Sequence, residues 1–169
     1  MPRAARAVLA ELPLSLRGAA LLPGAALAVH QLRYALAYQG DCSRALAQQG
    51  HAYLGSLVPW VVLLAGLSLG ATLGRLAQRW AAGPRRPSRS VAFGRVWLLA
   101  AATLLAIFSA QELLEGTFAR GHLAGVAAVV GSGGWWAAPA ALLVGGLLAL
   151  ALCAAQAAEH AVEQARIAL

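Results

Sequence analysis

The chain has no lysine and few charged residues of any kind. Charged side chains make up 11% of its 169 residues and hydrophobic residues 60%, whereas soluble domains are roughly 25% charged and 45–50% apolar. This deficit of charge excludes an ordinary soluble domain and predicts a membrane protein. All 13 basic residues are arginine, a bias that fits a GC-rich genome, so we expect a bacterial source and the inner membrane as the location.

Cysteine is also scarce, with Cys42 and Cys153 alone. They fall at opposite ends of the predicted helices, too far apart for a disulfide. The CxxC pair and the phosphate-loop and haem-attachment motifs are absent from the sequence as well. We therefore expect the protein not to be an enzyme; acid–base chemistry on a lipid stays as an alternative.

Four apolar segments have the ~20-residue length that a helix needs to cross the hydrocarbon core of a bilayer. They run over residues 18–38, 53–74, 96–115 and 136–157. The predicted fold is all-α, a single transmembrane domain over residues 1–169 with four helices in a compact bundle. The lead RAARAVLAEL is expected to lie on the membrane surface. With the following GAALLPGAALA it imitates a signal peptide, but the apolar character continues past Ala28, which favours an uncleaved helix.

The distribution of arginine sets the predicted orientation. Nine arginines precede the first span or lie in the loop over residues 75–95, whereas the opposite loops, residues 39–52 and 116–135, carry only Arg44 and Arg120. By the positive-inside rule, both termini and the 75–95 loop are cytoplasmic. Positive charge placed in this way orients membrane helices, so we exclude nucleic acid as a partner and expect the lipid bilayer instead.

Small residues recur at every fourth position of the second span, at Gly66, Gly70 and Gly74. In lipid, such a ridge lets another backbone approach closely. We expect the ridge to pack within the bundle; a homo-oligomer or another membrane protein is the alternative occupant. The outer segment over residues 121–134 is too short to span, so it either lies flat or dips into the bundle with GSGG as a hinge.

Polar residues stand out near the outer ends of the first and third spans. At about 100° per residue, each helix carries three of them on one face: His30, Arg33 and Tyr34 on the first, and Gln111, Glu112 and Glu115 on the third. Ionisable groups in a membrane face the bundle interior or water, and each seeks a partner. We expect Arg33 to pair with Glu112 or Glu115, and His51 and His122 to reach the same outward-facing cluster.

Three interpretations of this cluster are open. In the first, an ion-pair network of Arg33, Tyr34, Gln111, Glu112 and Glu115 fixes the helix register, and the protein is a non-catalytic accessory component of a membrane complex. In the second, the cluster binds or transports zinc, copper or iron, with the ligands His30, His51, Glu112, Glu115 and His122. Arg33 counts against this, because a fixed cation repels a divalent ion. The third, a haem or quinone subunit, is disfavoured because only His30 lies well within a span.

Overall fold

The computed structural model describes residues 3–48, 51–81, 92–118, 125–131 and 133–168. Among these residues the regular structure is helical and includes no strand, which confirms the all-α prediction. The four long helices are α1 (Arg3–Tyr38), α3 (Leu54–Ala81), α4 (Phe93–Phe118) and α6 (Ala137–Ile167). Two short helices, α2 (Cys42–Gln48) and α5 (Val126–Val130), and 3-10 turns at Gln39–Asp41, His51–Tyr53 and Gly134–Trp136 lie between them.

Three of the long helices, α3, α4 and α6, are long and apolar enough to cross a membrane. Helix α1 is not one of the three, and the polar residues His30, Gln31, Arg33 and Tyr34 lie close together in its last third. The lead RAARAVLAEL and the first predicted span form one continuous helix rather than two elements. The fourth span and the cytoplasmic position of the termini stay predictions.

Helices α4 and α6 approach each other closely at a glycine. A Cβ atom on Gly145 of α6 would stand 2.9 Å from the backbone nitrogen of Ala101 in α4. Nearby, the Trp97 indole Nε1 donates a hydrogen bond of 2.8 Å to the Leu142 carbonyl oxygen. Close backbone approach through small residues is the usual way in which membrane helices gain packing energy.

The apolar core lies between α1, α4 and α6. Its buried members are Val29, Leu104, Phe108, Ala137, Ala140 and Ala141. Because Val29 directly precedes His30 and Phe108 lies one helical turn before Glu112, this core forms the floor beneath the polar side chains of α1 and α4.

The glycine ridge of α3 faces away from the described part of the chain. A Cβ atom on Gly66, Gly70 or Gly74 would meet no atom within 4 Å. Leu67 and Leu69 beside it are exposed as well. The expected packing of this ridge within the bundle is therefore not seen among the described residues.

The segment formed by residues 125–131 and 133–136 folds back onto the bundle. Helix α5 contacts α4, and the 3-10 turn Gly134–Trp136 contacts α1. Ala128 is buried, while Val126 and Val130 on the other side of α5 are exposed. Gly133 has φ +76°, and a Cβ atom there would overlap Ala37 of α1, so glycine is required where this segment meets α1.

Candidate metal centre

Three elements bring the polar cluster together. Helix α1 supplies His30, Arg33 and Tyr34, the 3-10 turn before α3 supplies His51, and α4 supplies Glu112. None of these five side chains is more than 2% exposed. The face shared by His30, Arg33 and Tyr34 on α1 is therefore directed into the bundle, which is where ionisable groups of a membrane helix are expected.

The cluster is buried, and the prediction that it faces outward is wrong. Two parts of the chain cover it: the 3-10 turn that carries His51, and the segment formed by residues 125–131 and 133–136. Gly134 in this segment is itself buried, and a Cβ atom on it would stand 3.5 Å from Nη1 of Arg33. The hydrophobic pattern of the sequence does not indicate that either element covers the cluster. For this reason the sequence predicted an outward-facing cluster.

Arg33 and Glu112 form the central ion pair of the cluster. Nη2 of Arg33 lies 3.1 Å from Oε1 of Glu112, and Nδ1 of His30 lies 3.6 Å from the same oxygen. The guanidinium also lies over two aromatic rings, 4.3 Å from the centre of Tyr34 and 5.0 Å from that of Phe108. A charge buried this deeply needs an ionic partner, and contacts with aromatic faces further stabilise a desolvated arginine.

Glu115, the other carboxylate on this face of α4, pairs with His51 instead of Arg33. Oε2 of Glu115 lies 3.1 Å from Nδ1 of His51. Oε1 accepts hydrogen bonds from the Tyr53 hydroxyl and, at 3.2 Å, from Nε2 of Gln111. Glu115 is thus held in one orientation by groups from α4 and from the 3-10 turn. Tyr53 was not among the predicted site residues, although its place two residues after His51 is a signal that could have indicated it.

Three side chains are arranged so that they could hold a metal ion. One ligand atom each from His30, His51 and Glu112 lies within 4.8 Å of the other two. Bonds of about 2.0–2.2 Å to a common ion would require each atom to move by less than about 1 Å. Imidazole nitrogen with carboxylate oxygen is a ligand set that suits zinc, iron and copper(II).

The His51–Glu115 contact has the form of a metal site's outer shell. Histidine ligands commonly donate their second ring N–H to a carboxylate, which fixes the orientation of the ring. Here Nδ1 of His51 faces Glu115, an arrangement in which Nε2 would be the ligand nitrogen. Glu115 therefore lies behind a predicted ligand, and the side chain is 17% exposed.

The remaining predictions about the cluster have different outcomes. His122 lies outside the described residues. The rings of His30 and His51 touch edge to face with their centres 4.6 Å apart, which leaves no space between them for the plane of a haem.

No known protein family, curated protein or solved structure matches the chain.

Proposed function

We propose that this is a membrane protein that binds a divalent transition-metal ion, such as zinc, through His30, His51 and Glu112. The observation that carries the proposal is the convergence of three ligand atoms within 4.8 Å in a site that is almost completely buried. Three protein ligands leave a fourth coordination position open, which is typical of zinc sites that also bind water or another molecule.

The positive charge of Arg33 is the main obstacle to this proposal. Its Nη2 is 3.1 Å from Oε1 of Glu112, so an ion bound to that oxygen would lie within about 5 Å of it. With an effective dielectric constant of about 20, the repulsion amounts to roughly 6 kcal/mol. Two carboxylates offset it, since Glu112 is a ligand of the ion and Glu115 lies directly behind His51.

The proposed membrane arrangement is a single domain over residues 1–169 with four spans in a bacterial inner membrane, both termini being cytoplasmic. Helix α1 is the fourth span. The polar side chains His30, Arg33 and Tyr34, which lower its apolar character, are buried against the bundle. These side chains therefore do not contact lipid, and for this reason a membrane span of this composition is compatible with a bilayer. The concentration of arginine before α1 and between α3 and α4 supports the orientation.

The direct test is the metal content of protein purified in mild detergent without a chelator or a His tag. Inductively coupled plasma mass spectrometry is expected to find about one ion per chain after zinc is supplied and the excess removed. His51→Ala and Glu112→Gln should each lose the ion, because the site depends on all three ligands. His51→Ala should still elute as a sharp folded peak and is the deciding variant, since Glu112→Gln also removes the ionic partner of the buried Arg33. His160→Ala, in the distant end of α6, is the matched control and should retain it. A metal-free wild type, or a His51→Ala variant that stays loaded, would exclude this function.

A second candidate is a non-catalytic accessory or interaction component of a membrane complex. The open ridge of Gly66, Gly70 and Gly74 favours it, because such a surface suits a second copy of the chain or another membrane protein. In this case the Arg33–Glu112 pair is structural. Replacing either residue should then lower the stability of the bundle, and the wild type should bind no metal in the measurement above.

A further inference from the structure

The net charge that the cluster would have with a divalent metal ion bound indicates a further, negatively charged ligand. Among the described residues, the charged groups that face the site are Arg33 of α1 and the two α4 carboxylates, Glu112 and Glu115. The 3-10 turn before α3 adds only His51 and Tyr53. The acidic residues of α6 begin at Glu159, more than 20 residues beyond the start of that helix, so they lie about 30 Å away. A divalent ion would therefore leave one positive charge uncompensated in a buried site, which is costly.

Arg33 has unused hydrogen-bonding capacity beside the proposed ion. A guanidinium carries five N–H donors, and Nη2 faces Glu112. Its Nε and Nη1 atoms are buried and make no hydrogen bond of good geometry in the part of the chain that the structure describes, although the Tyr34 hydroxyl lies near enough to interact with the guanidinium. An anion placed here would meet donors that are already fixed in position, because the side chain is only 1% exposed.

We propose that the metal-loaded site binds a small carboxylate anion, shared between the open coordination position of the ion and the guanidinium of Arg33. This inference rests on the proposed metal site and names its further ligand. One oxygen of the anion completes the coordination of the ion, and the other accepts hydrogen bonds from the arginine. The planar fork of a guanidinium matches the two oxygens of a carboxylate, which an ammonium group does not.

The contact between the metal-bound anion and Arg33 would explain why an arginine lies next to the metal ligands. Toward a bare divalent ion Arg33 is repulsive. Toward an ion that carries an anion it is attractive, because its nearest new neighbour is negative. The rings of Tyr34 and Phe108 lie against the guanidinium and Gly134 lies beside Nη1. Because these groups pack closely around the guanidinium, the proposed anion can be no larger than formate or acetate.

Cobalt(II) in place of zinc makes the proposal measurable, because its visible absorption reports changes in its ligands. The cobalt-loaded protein is titrated with sodium acetate, with sodium perchlorate at equal ionic strength as the control for salt. We expect a saturable spectral change with acetate alone. Arg33→Gln should weaken the acetate affinity about tenfold or more, since a charge-assisted hydrogen bond is lost. Arg44→Gln, at the exposed arginine of α2, should behave as the wild type does.

Each outcome of this titration has one meaning. If the wild type takes up cobalt and acetate leaves the spectrum unchanged, or if Arg33→Gln binds acetate as tightly as the wild type, the anion site is excluded while the metal site stands. If the wild type takes up no cobalt, the proposed function itself fails. If Arg33→Gln does not fold, the same titration is made with Arg33→Lys, which keeps the positive charge but lacks the planar guanidinium. An acetate affinity equal to that of the wild type in this variant overturns the proposal.

Discussion

Valine at position 145 is expected to destabilise the crossing of α4 and α6. A Cβ atom on Gly145 would lie 2.9, 3.0 and 3.2 Å from the nitrogen, Cα and Cβ of Ala101, whereas carbon atoms in contact normally lie about 3.5–4.0 Å apart. Because two of these atoms belong to the backbone, no side-chain rotation relieves the overlap, and the helices must separate by roughly 0.5–1 Å. Overpacking of this kind costs about 1–3 kcal/mol.

The loss would be measured as the free energy of unfolding in mixed micelles of mild detergent and dodecyl sulfate, followed by circular dichroism. Gly70→Val is the matched control, since its Cβ would meet no described atom within 4 Å, and we expect it to lie within about 0.5 kcal/mol of the wild type. Equal stability of the two variants would refute the close approach at Gly145. A loss confined to Gly70→Val would instead favour an interface on the ridge of α3.

The remaining predictions concern the support of the metal ligands and the α4–α6 contact. Glu115→Gln should weaken zinc binding about 10–100-fold without abolishing it, because His51 keeps its ligand nitrogen and loses a charged acceptor. Competition with a chromophoric chelator measures this, and an unchanged affinity would contradict the Glu115–His51–metal arrangement. Trp97→Phe removes the 2.8 Å hydrogen bond to the Leu142 carbonyl and should lower the free energy of unfolding by about 1 kcal/mol. Wild-type stability in the mixed-micelle assay would show that this bond contributes nothing.

The long helices could be predicted from the sequence, but their ends could not. Helix α6 continues to Ile167, ten residues past the predicted end of its span, because AAEHAVEQAR consists largely of good helix formers and holds no glycine or proline. Hydrophobicity marks where a helix can meet lipid and does not mark where the helix ends. The short helix α5 was not predicted for a different reason: five apolar residues between glycines carry no period to recognise.

Part of the site was also predictable. The helical period alone puts His30 and Arg33 on one face of α1, and Glu112 and Glu115 on one face of α4. It does not say which carboxylate meets Arg33, because the two differ by one turn and the choice depends on how deeply α4 is set relative to α1. The approach of His51 to His30 depends on the path of the loop between α1 and α3, which has no local signature.

The surroundings of the cluster indicate that the proposed metal ion would be bound rather than transported across the membrane. Toward the end of the bundle where α6 finishes, the buried core consists of residues such as Leu104, Ala149 and Leu152. In the described part of the chain, Ser68 is the one buried polar side chain between the cluster and Gln156. A divalent ion crossing a membrane protein needs ligands or water along its way. Among the described residues, the polar route from the cluster to the surface runs past Glu115 and Tyr53, so the proposed ion would leave by the route through which it entered.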